Sequence, residues 1–267
     1  MTPSKTLTIL AHGDSDGICS ASIVKAALRD SYDEIETYFT HPVGLVNDLR
    51  EFARGDLVIL DVAIDERNAA KLAEYLEGCE GYTIYVDHHP PPLGLSLAEL
   101  RFDENVVDYL SEASTSELTF KRFNSRLPRE YDRVALYGAI ADYADVTEWV
   151  KESLSRWDKR HIFFEAGILS QGLEGSRKLY DLKRGVVDHL SRNLKPSSHE
   201  ELVRRALTQA KENEDLYLWV KNNLNADGYV AYVINPPGSL GVAATYVLGV
   251  SDLRVGIAAE VRGDIMV

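Results

Sequence analysis

Four short apolar runs in the first third of the chain, separated by segments of helical periodicity, leave few folds open to it. The runs are TLTIL (6–10), IETYF (35–39), DLVILDV (56–62) and YTIYVD (82–87). Between the first two, Gly17 to Asp30 places Ile18, Ala21, Val24 and Leu28 near one helical face. LVNDLREF fits a second helix, and DERNAAKLAEYLEG has the start and the glycine stop of a third. Strand-length runs alternating with helices predict βαβ units: an α/β fold with a parallel sheet covered by helices on both faces.

From about residue 114 the pattern turns helical, in STSELTFKRF, REYDRVALYGAIADYAD, KRHIFFEAGILSQGL and a segment around 176–194. Pro196 interrupts it, and Ser198 with Glu201 has capping-box spacing for a new helix. These breaks predict a first domain over 1–192, a linker helix over 193–225 and a small α/β module over 226–267. The module holds a strand, YVAYVIN, a small-residue helix, SLGVAATYVLG, and a second strand, RVGIAAEV.

Composition narrows the function classes. Cys19 and Cys79 are the only cysteines, too few for a disulfide framework and suited to a reducing compartment. No apolar run is long enough to span a membrane, and the N-terminus lacks a signal-peptide pattern, so a cytoplasmic protein without a membrane partner is expected. The net charge of −13 argues against a general polyanion-binding coat. One stretch differs. Residues 177–205 carry eight basic residues, among them Arg177, Lys178, Lys183 and Arg184, against four acidic ones, a local balance of +4. It reads either as a track for a nucleic-acid backbone or as a solvated helix surface.

In an open parallel sheet, ligands bind beyond the carboxyl ends of the strands. His12, Asp14 and Asp16 follow the first run, Asp61 closes the third, and Asp87, His88 and His89 close the fourth. An extended turn would aim His12, Asp14 and Asp16 alternately to one side. Any one of these acids alone is an ordinary cap or turn residue. Three strand ends delivering them to one edge is a different matter, because carboxylates crowded together stay ionised only with positive charge among them. Oxygen and imidazole donors without thiolate suit Mn²⁺ or Mg²⁺. Asp142, in GAIADYAD, is a further candidate that spacing alone does not separate from Asp132 or Asp145. Ser114, Thr115 and Ser116 open a helix, where free N–H groups and hydroxyls serve either as a phosphate cradle or as a simple cap.

Taken together, HGDSDG, ILD, VDHHP and GAIAD resemble, in order, the four motifs of the DHH phosphoesterase superfamily, over roughly residues 6–185. The resemblance implies a two-metal site for divalent cations, Mn²⁺ before Mg²⁺. His12, Asp14 and Asp61 would bind one ion. Asp16, Asp61, His88 and Asp142 would bind the other, with Asp61 bridging. It implies His89 as phosphate contact and proton donor, and Asp87 as the carboxylate that orients a neighbouring histidine. Ser114–Ser116 and the basic residues Arg177, Lys178, Lys183 and Arg184 would touch substrate. The activity implied is hydrolysis of single-stranded DNA or short oligonucleotides, RecJ-like and of archaeal type, in replication or repair, with a Hef-type helicase as a possible partner. The alternatives are a phosphatase for a small nucleotide or pyrophosphate and a non-catalytic scaffold. The family's pyrophosphatases carry a longer acidic first motif with an added asparagine, which AHGDSDG lacks, and a scaffold would have lost ligands. The sequence departs from the family at its end. The glycine-rich Gly-Gly-Gly-His segment of the substrate domain is absent, so a truncated or reduced substrate module is expected.

Overall fold

In the computed structural model, which describes residues 4–176 and 178–263 and the backbone of 265–266, the first compact unit runs to Val203 and a second begins at Arg204. The first is built on five parallel strands: β1 (Thr6–His12), β2 (Glu34–Thr40), β3 (Asp56–Leu60), β4 (Thr83–Asp87) and β5 (Glu104–Val107). Their spatial order is β2-β1-β3-β4-β5. The sheet reverses direction beside β1, and at such a switch point the loops following neighbouring strands splay apart and open a crevice.

Alternation along the strands divides the core. Leu57 and Ile59 of β3, Tyr85 of β4 and Leu10 of β1 point to one face, where α1 (Ser15–Leu28) does not reach. There α2 (Leu45–Phe52) and α3 (Ala69–Glu77) supply Leu45, Leu49, Leu72 and Leu76. On the opposite face α1 packs at the centre, with α4 (Thr115–Phe123), α5 (Asp132–Ala141) and, beyond α6 (Glu148–Leu154) and α7 (Lys159–Leu173), α8 (Tyr180–Leu190) against it. Twelve of the fourteen residues of α1 are buried, and they include Gly17, Cys19, Ser20, Ala21 and Ser22. Small side chains let three helices close on one.

The parallel sheet with helices on both faces is as the sequence implies. Two elements were not legible: β5, a four-residue edge strand, and α6, seven residues long. Both are too short to show a period. The division between units falls inside the 24-residue helix α9 (Glu200–Asn223). The second unit holds β6 (Asn225–Asp227), β7 (Val230–Ile234), α10 (Leu240–Ser251) and β8 (Val255–Ala259), with Val220, Ala231, Val233, Ala243 and Val247 as its core.

Candidate metal centre

β1 ends on His12, and the chain turns into α1 through Asp14, whose carboxylate caps the helix by accepting from the Gly17 N–H at 3.0 Å. Because the cap is Asp14, the helix begins at Ser15 and Asp16 lies in its first turn. The extended alternation expected of His12, Asp14 and Asp16 is therefore replaced by a cap. Asp14 reaches back to His12, with Nδ1 and Oδ2 2.7 Å apart.

Asp61 follows β3 in a left-handed conformation, φ +59°, that an aspartate adopts only at some cost. Its N–H donates to the Val86 carbonyl at 3.0 Å, and its carboxylate is 2% exposed. Around it stand His12 Nδ1 at 3.8 Å and His88 Nε2 at 3.6 Å, and His88 Nε2 is also 3.6 Å from Asp142 Oδ2. Three groups have donor atoms within 4.8 Å of one another: His12, Asp14 and Asp61; Asp16, His88 and Asp142; and Asp61, His88 and His89. Asp61 belongs to two of them. Asp142, at the end of α5, is thus the member of its segment brought to the centre, whereas Asp132 is engaged by Arg156 and Trp157. At the end of β4, Asp87 is fully buried. It accepts from the Tyr85 hydroxyl at 2.6 Å and holds His89 Nδ1 at 2.8 Å. With Nδ1 so engaged, Nε2 is the His89 nitrogen available to a ligand. Tyr85, which sequence reasoning treated as part of a strand, thereby supports this pair.

Burial and mutual repulsion set the electrostatics of these carboxylates. Burial, with Asp142 and Asp14 adding to it against the Ser116 hydrogen bonds, pushes the Asp16 carboxyl up to about 7. Burial and the neighbouring Asp16, Asp14 and Asp87 push Asp61 well above the carboxylate range, and burial raises Asp142. For Asp14, burial opposes ionisation, but the His12 hydrogen bond and the Gly17 N–H prevail and hold it at about 2. The hydrogen bonds that His12 and His89 donate to Asp14 and Asp87 raise the two imidazoles respectively. Buried carboxylates that resist joint ionisation, interleaved with imidazoles and without sulfur, fit hard or borderline divalent ions.

The opening of α4 corrects one expectation. Ser114, Thr115 and Ser116 are fully buried, so they offer nothing to a substrate. The anion at this helix N-terminus is Asp16 itself. The Thr115 N–H donates to its Oδ2 at 2.7 Å and the Ser116 N–H to its Oδ1 at 3.0 Å. The Thr115 hydroxyl donates to Asp61 Oδ1 at 3.0 Å, and Ser114 caps the helix through the Glu117 N–H. Gly138 of α5 allows this closeness. A Cβ there would lie 2.4 Å from Ser116 Oγ and 2.8 Å from Asp16 Oδ1.

A cleft of about 750 Å³ opens from the centre, lined among others by His12, Asp14, Asp16, Asp142, Phe39 and Lys183. The basic residues named from the sequence are placed differently from one another. Lys178 and Lys183 line the cleft, Arg184 is paired with Asp181 at 2.6 Å away from it, and Arg177 lies outside the described residues.

Residues 6–147, just over half of the chain, match the family model described as "DHH family, N-terminal domain". Among solved structures, the chain is similar to an exonuclease RecJ bound to manganese (TM-score 0.66, 20% identity, 97% of this chain and 76% of that one). It is also similar to the DHH domain of a protein described as a member of a family of ribosomal proteins (TM-score 0.71, 11% identity, 96% and 72%). A third is a pGpG-specific phosphodiesterase from Vibrio cholerae (TM-score 0.58, 12% identity, 96% and 78%). No curated protein matches the chain.

Proposed function

The chain belongs to the DHH family, and from that premise we propose that it is a two-metal phosphodiesterase acting on single-stranded DNA or short oligonucleotides, with Mn²⁺ preferred and Mg²⁺ accepted. The observation that carries the reading is the position of Asp61, buried between two imidazole-carboxylate groups at the carboxyl edge of the sheet. In this reading His12, Asp14 and Asp61 hold one ion, and Asp16, Asp61, His88 and Asp142 hold the other. When bound, two such ions supply a water of lowered pKa and positive charge beside the phosphoryl oxygens.

The protein's own groups do the rest. Asp87 and Tyr85 fix the His89 ring, so that Nε2 contacts the phosphate and delivers a proton to the leaving oxygen. Thr115 and Ser116 keep the Asp16 carboxylate in place for its ion. From the motif resemblance we further propose an exonuclease role in replication or repair, in the cytoplasm, with a helicase partner of the Hef type; the chain also shares its fold with an exonuclease RecJ. A second reading, a short substrate of a few nucleotides, is favoured by the cleft, since of the described basic residues named above Lys178 and Lys183 line it and Arg184 does not. End-labelled DNA and RNA strands of graded length, incubated with Mn²⁺ or Mg²⁺ and resolved over time, test both readings. Absence of metal-dependent cleavage at every length would refute the proposal.

A further inference from the structure

Lys183 is a charged residue of the cleft wall to which the proposed reaction gives no task. It rises from α8 only 5% exposed, yet it lines the cleft, beside the loop that carries His12 and Asp14. Its ammonium lies 5.6 Å from the centre of the Phe39 ring. On its other side is Gly13, where a Cβ would come within 2.4 Å of Nζ. A side chain at this position, between His12 and Asp14, would displace the ammonium from where it sits. Other charges of α8 are matched, Arg184 by Asp181 and Asp188 by Lys25. The Asp14 carboxylate is near enough to favour its charge, but among the described residues the Lys183 ammonium makes no direct ion pair or hydrogen bond. A desolvated ammonium without an acceptor is costly, and a long-stemmed lysine normally swings its head into water. Here the stem is buried and the head is directed at the cleft, between an aromatic face and the loop that carries His12 and Asp14.

We propose that Lys183 Nζ is a fixed docking point for a non-bridging phosphate oxygen of the substrate, and that Gly13 is required to admit it. The inference rests on the phosphoesterase reading for its ligand and specifies what that reading leaves open. Recognition centres on one charged oxygen at the metal loop rather than on a strand-length basic track. A substrate whose phosphate there is made neutral, as a methylphosphonate, is refused.

The test measures binding of inorganic phosphate to the Mn²⁺-loaded protein by calorimetry. It compares the wild type with Lys183→Met, Lys183→Arg and Gly13→Ala, with Mn²⁺ affinity and thermal stability measured for each. Loss of a hydrogen bond to a charged group corresponds to roughly tenfold to a hundredfold in affinity. A loss of that size is expected for Lys183→Met, with Mn²⁺ binding retained and partial recovery in Lys183→Arg. Gly13→Ala keeps the charge and moves it, and should show the same direction of change. It serves as the deciding variant if Lys183→Met does not fold. Wild-type phosphate affinity in both variants, or no phosphate binding by the wild type, overturns the inference. Absence of hydrolysis together with phosphate binding that depends on Lys183 refutes the phosphodiesterase reading and leaves the anion site standing. Hydrolysis with an unchanged KM in Lys183→Met does the reverse.

Discussion

Thr115→Val should weaken divalent-ion binding by about tenfold to a hundredfold while barely touching the fold. Valine has nearly the volume of threonine, and the Thr115 N–H, which holds Asp16 Oδ2 at 2.7 Å, is retained. What disappears is a single donor, the hydroxyl 3.0 Å from Asp61 Oδ1. The consequence differs between the two states of the site. With ions bound, Asp61 is ionised, and a hydrogen bond to a charged group contributes roughly 1.5–3 kcal/mol. Without them, burial and the nearby Asp16 and Asp14 favour the protonated Asp61 carboxyl. A hydrogen bond between neutral partners is then at stake, about 0.5–1.5 kcal/mol. The difference, about 1–1.5 kcal/mol from these ranges, falls on the metal-binding equilibrium and corresponds to about tenfold. Loosening of the ligand geometry adds to it, within the range of about 10–100-fold seen when a partner of a metal ligand is removed. Thr119→Val, the same substitution further along α4, is the control, since the buried Thr119 hydroxyl has no hydrogen-bond partner among the described residues. Titration with Mn²⁺, following the free ion by paramagnetic resonance, separates the two variants. Wild-type affinity in Thr115→Val, or equal losses in both, would refute the assignment of Asp61 as an ionised ligand supported by Thr115.

Asp61→Ala should abolish turnover and remove both Mn²⁺ sites in calorimetry, while the metal-free protein melts no lower than the wild type because a crowded carboxylate has gone. His89→Ala should cost about 10²–10³ in turnover with Mn²⁺ affinity near that of the wild type, and His88→Ala should show the opposite pattern; equal loss of metal in both would break the division of roles. The metal-free protein should lose stability as pH rises. The Asp16 carboxyl titrates near 7 in the folded state against 3.8 as an ordinary aspartate, so the folded state binds more protons between those values. The stabilising contribution is full below 3.8 and is lost as pH rises through 7. Mn²⁺, which competes with those protons, should therefore raise the melting temperature more at pH 8 than at pH 6, and denaturation scans with and without the ion would show it.

The parallel sheet was legible because β1, β3 and β4 are buried on both faces and read as short apolar runs, and because α2 and α3 bury a single stripe. The candidate centre was legible for a related reason. Strand ends are points where the chain leaves the core, and an aspartate or histidine placed there in three separate strands stands out against the apolar run before it. Asp142 had no such background. It sits at the end of α5, where an acid is commonplace, and only tertiary packing shows it meeting His88. The supporting groups were harder still. Tyr85 reads as an ordinary strand residue, and nothing in the local sequence says that its hydroxyl reaches Asp87.

Ser114, Thr115 and Ser116 carry the more general lesson. Their composition announces a helix N-terminus with free donors, and that much is correct. Which anion fills it depends on an element a hundred residues earlier in the chain. The close approach of α4 to α1 that brings Asp16 there depends on small residues in α1 and on Gly138 in α5. The same dependence governs Lys183. Its charge was visible as part of a basic stretch, but its separation from Arg184, one residue away, arises because α8 turns successive side chains by about 100°, sending one toward Gly13 and the other toward Asp181. Net charge over a segment therefore does not say which of its cations line the cleft; the helix face does.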